Sequence, residues 1–462
     1  MATSAINNAS VLSLTDYDKV LKDIYLGPIR EQLNSETILM SRIDRNDQNV
    51  EGRKIIMPLH TGRSYGFGAV QEGGILPYPQ EQQFTTIEHY VKYLYARVHI
   101  GGVVIAATKS DLGSFVRAID SEVSGVMNDF KHDMNRMYFN DGTGILGSVD
   151  TVPGSDTATF TVRQWGDTAE VGSRLKYFGP GRYVGGVSLN NDIGNSGGGG
   201  AVGKFAGVSK INSVDISART ITLADTMAKT VEFFVHAKGP GSTAVTTASG
   251  QTAKALTDAD SETSWGNECQ GLLGLVVGSP TGSADTWAHS TDGKVLGSAG
   301  TEAELYSVTD SLWQSQIIAN GNVPQNLSED LMQQALDLTE EYGTGSTSLI
   351  MTTYGVRQAF YDLLAADKRY PNTTKLTGGY TALDYNGHPL VVDKDCQAGI
   401  MYFLDESTFQ MYRMQDFNWL DDDGSIWHRR EDTHDWQATL AYFGDFGVTR
   451  RNANAAILDI QE

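Results

Sequence analysis

The sequence predicts an α+β protein in which an extended loop and one long helix precede a β-rich insertion and a later mixed α/β region. Three observations support this order. A glycine-rich stretch separates two strand-like segments within residues 51–95, and a single apolar stripe runs along residues 110–140. Residues 150–300 are rich in Thr, Ser and Gly and show no helical periodicity. We therefore expect several structural units.

The composition is that of a multi-domain globular protein and argues against tight binding of nucleic acid. The chain has 462 residues, of which 40% are hydrophobic, and this length exceeds what one compact core usually holds. Its 56 acidic residues outnumber 35 basic ones and give a net charge of −21, whereas gripping phosphates requires clustered Lys and Arg. Cys269 and Cys396 are far apart, so we expect two reduced thiols in the core and neither a zinc ribbon nor a disulfide framework.

The first 50 residues are predicted to form an N-terminal arm. Residues 1–14 are small and polar, and a helix-like stretch begins at Thr15. The segment from Met1 to Ser13 lacks the basic region and the apolar run of a secretory signal. No stretch reaches the roughly 18 apolar residues that a membrane helix needs. We expect a protein that is made in the cytoplasm and has no membrane partner.

Residues 51–95 are predicted to form an extended loop. A short strand at residues 55–57 is expected to end at Pro58, and a long strand is expected from Val91 to Ile100. The glycine-rich run between them can bury little against its own subunit, so we expect it to lie on a neighbouring one. The candidate contact residues are those of the loop from Arg63 to Tyr78, in particular Tyr65, Phe67 and Glu72, and those of the arm.

The clearest predicted element is a long helix over residues 110–140, which ends at Asp141-Gly142. At 1.5 Å per residue it is about 45 Å long. Such a length is rare in a compact domain and suggests a rigid supporting helix in an elongated molecule. Apolar residues recur along it at steps of three and four and trace one stripe. These residues are Leu112, Phe115, Ile119, Val123, Met127, Phe130 and Met134.

Residues 150–300 are predicted to be a β-rich insertion domain with alternating segments between turn clusters. From Leu327 onward the pattern becomes mixed α and β, with helices predicted from residue 328 to 342 and from 354 to 364. The remaining strands are expected at residues 348–351, 389–392, 400–404, 409–414, 438–442 and 455–460.

This order of parts resembles the major capsid proteins of tailed bacteriophages, whose fold is named after phage Hong Kong 97. The resemblance covers about residues 1–150 and 300–462 but not the insertion, and it depends on the order of elements with local support. Four segments carry the local support: Asp141-Gly142-Thr143-Gly144-Ile145-Leu146-Gly147 after the long helix, Asn386 to Asp393, Gly399 to Asp405, and Gly447 to Leu458.

The resemblance implies a division of the chain into domains. Residues 1–50 would be the arm and 51–95 the extended loop. Residues 96–149 would form a peripheral domain around a spine helix, the long helix of residues 110–140. Residues 301–405 would form an axial domain, and 406–462 the closing strands of the axial and peripheral domains.

The resemblance also implies a structural protein, not an enzyme. Such a protein assembles with itself as hexamers and pentamers into an icosahedral shell, located in the virion, that encloses double-stranded DNA without sequence-specific binding. The expected partners are other copies, a separate scaffolding protein and a portal, with a decoration protein as an optional partner; no cofactor or metal is expected. Because the arm begins almost at Met1, we expect no large maturation cleavage. Some family members crosslink a loop lysine, but Lys54 and Lys92 are interpreted as solvated surface lysines.

Enzyme-like motifs occur where the required partner residues are missing. Residues 198–204 read G-x-x-x-x-G-K, but Phe205 stands where Ser or Thr should hold magnesium, and residues 194–198 fit G-x-S-x-G without a marked histidine base. Residues 421–435 are rich in Asp and His but lack EF-hand spacing. We interpret them as a solvated acidic turn, with a weak divalent-metal site between subunits as the alternative. Nearby aromatic residues are expected to pack in the core or between subunits: Trp419, Trp427, Trp436, Tyr442 and Phe443.

Three other functions stay open at this point. An encapsulin-type compartment shares the fold, and neighbouring portal, terminase or scaffold genes would distinguish the two. An acidic β-rich surface or adhesion protein would require a secretion route. A hydrolase that uses residues 421–435 would show metal-dependent activity as a monomer.

Overall fold

A computed structural model describes most of the chain. The described residues are 38–46, 54–103, 112–149, 157–162, 177–188, 204–227, 231, 233–239, 254–255, 263–278, 280–281, 288–289, 314–320, 323–343, 346–366, 373–375, 381–421, 425–430 and 433–462. The N-terminal part of the predicted arm and the two enzyme-like motifs up to residue 203 lie outside them. No helix among the described residues is long and apolar enough to cross a membrane.

The described residues form four α-helices and 23 strands, together with one π-helical turn and two short 3-10 helices. The helices are α1 (Ile38–Arg42), α2 (Leu112–Phe139), α3 (Glu329–Gly343) and α4 (Tyr354–Ala366). The strands are β1 (Asp44–Asn46), β2 (Lys54–Gly62), β3 (Gln83–Tyr90), β4 (Lys92–Gly101), β5 (Ile145–Ser148), β6 (Thr157–Thr161), β7 (Tyr183–Ser188), β8 (Lys204–Asp215), β9 (Thr220–Met227), β10 (Phe233–His236), β11 (Lys254–Ala255), β12 (Pro280–Thr281), β13 (Ala288–His289), β14 (Gln316–Ile318), β15 (Leu349–Thr352), β16 (Thr373–Lys375), β17 (Thr381–Tyr385), β18 (His388–Val392), β19 (Met401–Leu404), β20 (Phe409–Trp419), β21 (His428–Arg429), β22 (Asp435–Val448) and β23 (Ala455–Ile457).

The first large sheet carries the long helix α2. Its strands are ordered β1-β20-β22-β21, and β4 also pairs with β22. Strand β22 runs antiparallel to β4 over ten residue pairs, from Asp435 opposite Gly101 to Gly444 opposite Lys92. Alternate residues of these strands therefore point to the helix. Leu94, Tyr442 and Phe446 pack in one core with Met134 and Tyr138 of α2, and the predicted spine helix is confirmed within two residues at each end.

The second large sheet is formed by the β-rich part of the chain. Its order is β5-β10-β7-β8-β9-β6, with β11 paired to β8. Phe234 lies at the centre of its core and makes edge contacts with Phe160 and Phe178, with ring centroids 5.2 and 6.0 Å apart. This sheet begins at Ile145, before the predicted start at residue 150. Residues 263–278 lie within the predicted insertion, yet the described apolar side chains of the π-helical turn Leu273–Val277 pack in the same core as α2.

The third large sheet is ordered β14-β23-β19-β15-β18-β17-β16 and is covered by α3 and α4. Its central strand β15 is parallel to β18 and antiparallel to β19. Met351 faces the core that contains α2, whereas Ile350 faces the second core with Phe360 of α4. Successive residues of a strand point to opposite faces of the sheet, so this sheet has a packed core on each face.

The hairpin before β4 differs from its prediction. Pro58 was expected to end a strand at residue 57, but it lies inside β2 opposite Thr86 of β3. The pair β2–β3 is a separate two-stranded sheet, so both strands are edges, where the missing N–H of proline is tolerated. The strand β3 was not predicted as a separate element from β4.

Candidate assembly interface

The predicted extended loop is a long β-hairpin with an irregular tip. Strands β2 and β3 pair from Lys54 opposite Tyr90 to Gly62 opposite Gln83. At the base of the hairpin, Ile55 and Val91 form a small core with Tyr412 of β20, and Phe443 of β22 packs against it. This contact fixes the hairpin to the sheet that carries α2.

Beyond the paired strands, residues 63–82 form a narrow ribbon whose two sides touch. Ser64 Oγ donates a hydrogen bond to Gln80 O over 2.7 Å. Gly66 lies so close to the opposite side that a Cβ atom there would stand 3.0 Å from Tyr78 O. A turn closes the tip, where Gly74 N donates to Gln71 O at 2.9 Å. Gly73 in this turn has a φ of +79°, a conformation that favours glycine.

The ribbon exposes apolar side chains that a soluble monomer normally covers. Arg63, Tyr65, Phe67, Glu72 and Tyr78, the candidate contact residues, are all exposed. Phe67 is 93% exposed and Tyr78 is 83% exposed. Ile75 and Leu76, which lie within the predicted contact range from Arg63 to Tyr78, are exposed as well. Phe84 of β3 is also exposed and lies outside that range.

The spine helix is embedded at its C-terminal end and less covered toward its middle. Met134 is fully buried, whereas Val123, Met127 and Phe130 are half-buried. The side chains of Leu112, Phe115 and Ile119 lie outside the described part of the structure. The single apolar stripe is only part of the pattern, because all residues from Met134 to Phe139 are buried, including the polar Asn135 and Arg136.

A buried ion pair connects the spine helix to the segment that follows the β-rich sheet. Arg136 donates two hydrogen bonds to the carboxylate of Glu268, with Nη1–Oε2 at 2.9 Å and Nη2–Oε1 at 2.7 Å. Burial opposes ionisation of Glu268, but the charge of Arg136 and contact with His236 hold the pKa of Glu268 below its usual value. Asp133, one turn earlier, bonds Arg182 beside β7 at 3.1 Å.

A second buried contact joins the spine helix to the loop after β18. Asn135 Nδ2 donates to Asp395 Oδ2 at 2.7 Å, and Tyr177 donates its hydroxyl hydrogen to Asp395 Oδ1 at 3.0 Å. Lys394 Nζ lies 3.0 Å from His132 Nδ1. Burial and the charge of Lys394 both lower the pKa of His132. The helix is therefore held by polar contacts to residues that flank the second and third sheets, since Arg182 precedes β7 and Asp395 follows β18.

The interpretation of Lys92 as a surface lysine is wrong. Its side chain is buried, and Nζ donates a hydrogen bond to Gly266 O at 2.7 Å. Asp445 lies within its electrostatic reach; burial raises the pKa of this carboxyl to about 7, although Lys92 and two backbone N–H groups act in the opposite direction. The strand pattern of β4 could have predicted this burial. Every second residue of a strand faces the same side, and Lys92 is on the side of the buried Leu94 and Val98. The side chain of Lys54 lies outside the described residues.

The remaining candidates for chemistry do not converge. Asp421 and His434 are exposed, and His428 is half-buried. Residues 422–424 and 431–432 lie outside the described part of the chain. In the part that is described, no three His, Cys, Asp or Glu residues lie close enough to hold a metal ion. Cys269 and Cys396 are both buried in the core, as predicted.

Comparison with solved structures identifies the fold. The chain is similar to the capsid asymmetric unit of cyanophage A-1(L), with a TM-score of 0.52 over 98% of this chain and 100% of that one at 11% sequence identity. At this identity the likeness establishes the architecture, so the α+β fold of the Hong Kong 97 type is confirmed. The sequence matches no protein-family model and no curated protein.

Two further similarities are weaker. The capsid of an empty GTA particle aligns with 98% of this chain and 99% of its own, at 10% identity and a TM-score of 0.43. The holo-SrpI encapsulin complex of Synechococcus elongatus PCC 7942 aligns with 32% of this chain and 53% of its own, at 12% identity and a TM-score of 0.26.

Proposed function

We propose that this chain is the major capsid protein of a tailed bacteriophage, which assembles as hexamers and pentamers into an icosahedral shell around double-stranded DNA. The observation that carries the proposal is the exposed apolar ribbon of residues 63–82, in a chain with the fold of a phage capsid protein. A protein whose function is to form contact surfaces between subunits needs no catalytic group, and we propose that the protein is not an enzyme.

The energetics of the ribbon favour contact with another copy. Full burial of a Phe, Leu or Ile side chain contributes about 1.5–3 kcal/mol. Phe67 and Ile75 are 93% and 86% exposed, so nearly all of this stabilisation is still available to a partner. Because the hairpin base is packed against Tyr412, a contact made by the ribbon is transmitted to the sheet beneath the spine helix. Repetition of one such contact around fixed axes closes a shell.

The domain division and the partners follow from the same proposal. Residues 1–50 are the arm, 51–95 the extended loop, 96–149 the peripheral domain and 301–405 the axial domain. The closing strands are 406–462, and 150–300 are an insertion whose sheet extends back to Ile145. The partners are other copies, a separate scaffolding protein, a portal and an optional decoration protein. The DNA is enclosed without sequence-specific binding, as the net charge of −21 favours.

Charge substitutions on the ribbon test the proposal. We expect the double variant Phe67→Asp/Ile75→Asp to remain as folded, unassembled subunits, because the two carboxylates would have to be buried in each contact. The matched control is Ile216→Asp, at the turn between β8 and β9, where an isoleucine is 79% exposed. The control and the unaltered chain should form closed particles by electron microscopy when a scaffold is co-expressed, and the same preparations without the scaffold show whether it is required.

Circular dichroism and an unfolding curve establish that the double variant is folded. Normal particles from the double variant would contradict the role of the ribbon. The neighbouring genes separate the open alternatives, because genes for a portal, a terminase or a scaffold accompany a virion protein and not a compartment of the encapsulin type. Metal-dependent hydrolysis by the subunit would instead support an enzyme.

A further inference from the structure

An open cleft lies between the N-terminal segment, the spine helix and the first large sheet. Its volume is about 350 Å³, within the range of ligand pockets. Its apolar lining residues, here called the floor, are Met40, Met134, Met411, Phe417 and Tyr442. Its polar lining residues, here called the rim, are Ser41, Arg45, Lys131, Asp416 and the largely buried Arg413.

The walls of the cleft are fixed before any partner arrives. Leu39 and Ile43, on either side of the lining residues of α1, are buried in the main core. Arg42 Nη2 donates to Glu406 Oε2 at 2.9 Å, and β1 pairs in parallel with β20. On the floor, Phe417 makes an edge contact with Phe130 at a centroid distance of 5.3 Å. A partner would therefore bind without a large ordering cost.

The rim has the opposite charge to the chain as a whole. Three of its side chains are cationic and one is a carboxylate, whereas the chain has a net charge of −21. Arg413 forms an ion pair with Asp416. Arg45 and Lys131 are exposed, so both can meet an anion from solvent. An apolar floor below a cationic rim is complementary to an apolar group between negative charges.

We propose that this cleft binds an acidic segment of a different protein, which inserts one or two apolar side chains and places carboxylates against Arg45 and Lys131. A DNA backbone would satisfy the cations but would leave the apolar floor uncovered. The exposed ribbon of a second copy carries Arg63 as well as Glu72, so it lacks a uniform negative charge. The acidic segment satisfies both parts of the cleft at once.

Fluorescence anisotropy with the full chain tests the proposal. The probe is a fluorescein-labelled peptide Glu-Glu-Leu-Phe-Glu-Glu, and the matched peptides are Lys-Lys-Leu-Phe-Lys-Lys and Glu-Glu-Ala-Ala-Glu-Glu. We expect saturable binding of the first peptide only, weakened by salt. Arg45→Glu and Lys131→Glu should each weaken it about 10-fold. Lys210→Glu, which reverses an exposed charge on β8, should leave it unchanged.

A floor variant provides the second readout. Met40→Ser should weaken binding about 5-fold, because it removes apolar contact with the inserted side chain. Met414→Ser, on the exposed side of β20, is the matched control and should have no effect. Absence of binding, equal binding to all variants, or binding of the lysine peptide would overturn the proposal. So would a short DNA duplex that binds with the same dependence on Arg45 and Lys131 while the acidic peptide does not. The readout is independent of particle formation, so the shell proposal can fail without affecting it.

Discussion

The ion pair between Arg136 and Glu268 is the contact whose disruption should weaken the subunit most. It joins the spine helix to a segment 132 residues further along the chain. The guanidinium and the carboxylate make two hydrogen bonds of 2.9 and 2.7 Å, and their side chains are only 3% and 1% exposed. If one of the two partners is removed, water therefore cannot reach the remaining charge to solvate it.

The expected magnitude follows from this burial. Removal of one partner of a buried ion pair costs about 3–5 kcal/mol, most of it from the charge left behind. Glu268→Gln keeps the size of the side chain and one oxygen acceptor, so we expect a loss near the lower end, about 3 kcal/mol. The double variant Arg136→Met/Glu268→Met removes both charges and should lose less than the sum of the two single variants.

Unfolding of the full chain in guanidinium chloride measures these differences. Tryptophan fluorescence follows the transition, and Trp265, buried three residues before Glu268, is one of the seven tryptophans that contribute to it. The matched control is Asp416→Asn, because the ion pair of Arg413 with Asp416 is solvent-exposed on one side and should be worth about 0–1 kcal/mol. The reasoning would be refuted if Glu268→Gln shifted the midpoint no more than the control at equal slope, or if the double variant lost the full sum.

Three other buried groups give further predictions for the same unfolding measurement. Burial raises the pKa of Asp445 to about 7 from an ordinary 3.8, so the native state retains a proton that the unfolded state releases. Stability should fall as pH rises from about 4 to 7, by on the order of 4 kcal/mol, and Asp445→Asn, which keeps an acceptor for Gln270 N, should flatten this part of the curve. Lys92→Met should lower the free energy of unfolding by about 1–3 kcal/mol, because the hydrogen bond to Gly266 O is lost. It should also shift the fall in stability to higher pH, because loss of the Lys92 charge raises the pKa of Asp445 further. Arg451→Met should cost about 1–3 kcal/mol, because Arg451 bonds the buried Leu275 O and Val276 O at 2.6 and 3.1 Å. A flat pH profile in the unaltered chain, or unchanged midpoints in the last two variants, would count against these assignments.

The spacing of apolar residues was sufficient to predict the helices α2, α3 and α4. The helix predicted at residues 110–140 is observed at Leu112–Phe139, because its apolar spacing is set within the segment itself. The helices predicted from residue 328 and residue 354 begin at Glu329 and Tyr354 for the same reason. The order of these elements was enough to predict the fold.

The polar contacts could not be predicted from the sequence. Asn135 and Arg136 look like solvent-facing residues of an amphipathic helix, but their partners are Asp395 and Glu268, 260 and 132 residues away. No local pattern connects such pairs. Lys92 is different, because its place in the alternation of β4 assigns it to the buried face. Lysine is usually exposed, and that general tendency predicts the wrong side for Lys92, whereas the strand pattern predicts the right one.

The charge of the chain limits how its copies can associate. Copies with a net charge of −21 repel one another at low ionic strength, so contact in the proposed shell would have to be driven by apolar burial and supported by screening. The proposed source of the apolar surface is the exposed ribbon, with Phe67 and Ile75 on a hairpin whose base is packed on Tyr412. In the proposed shell, a ribbon anchored through Ile55 and Val91 at its base would keep its direction on binding. Flexible attachment would permit contact at many angles, whereas a closed shell of hexamers and pentamers requires contact angles within a narrow range.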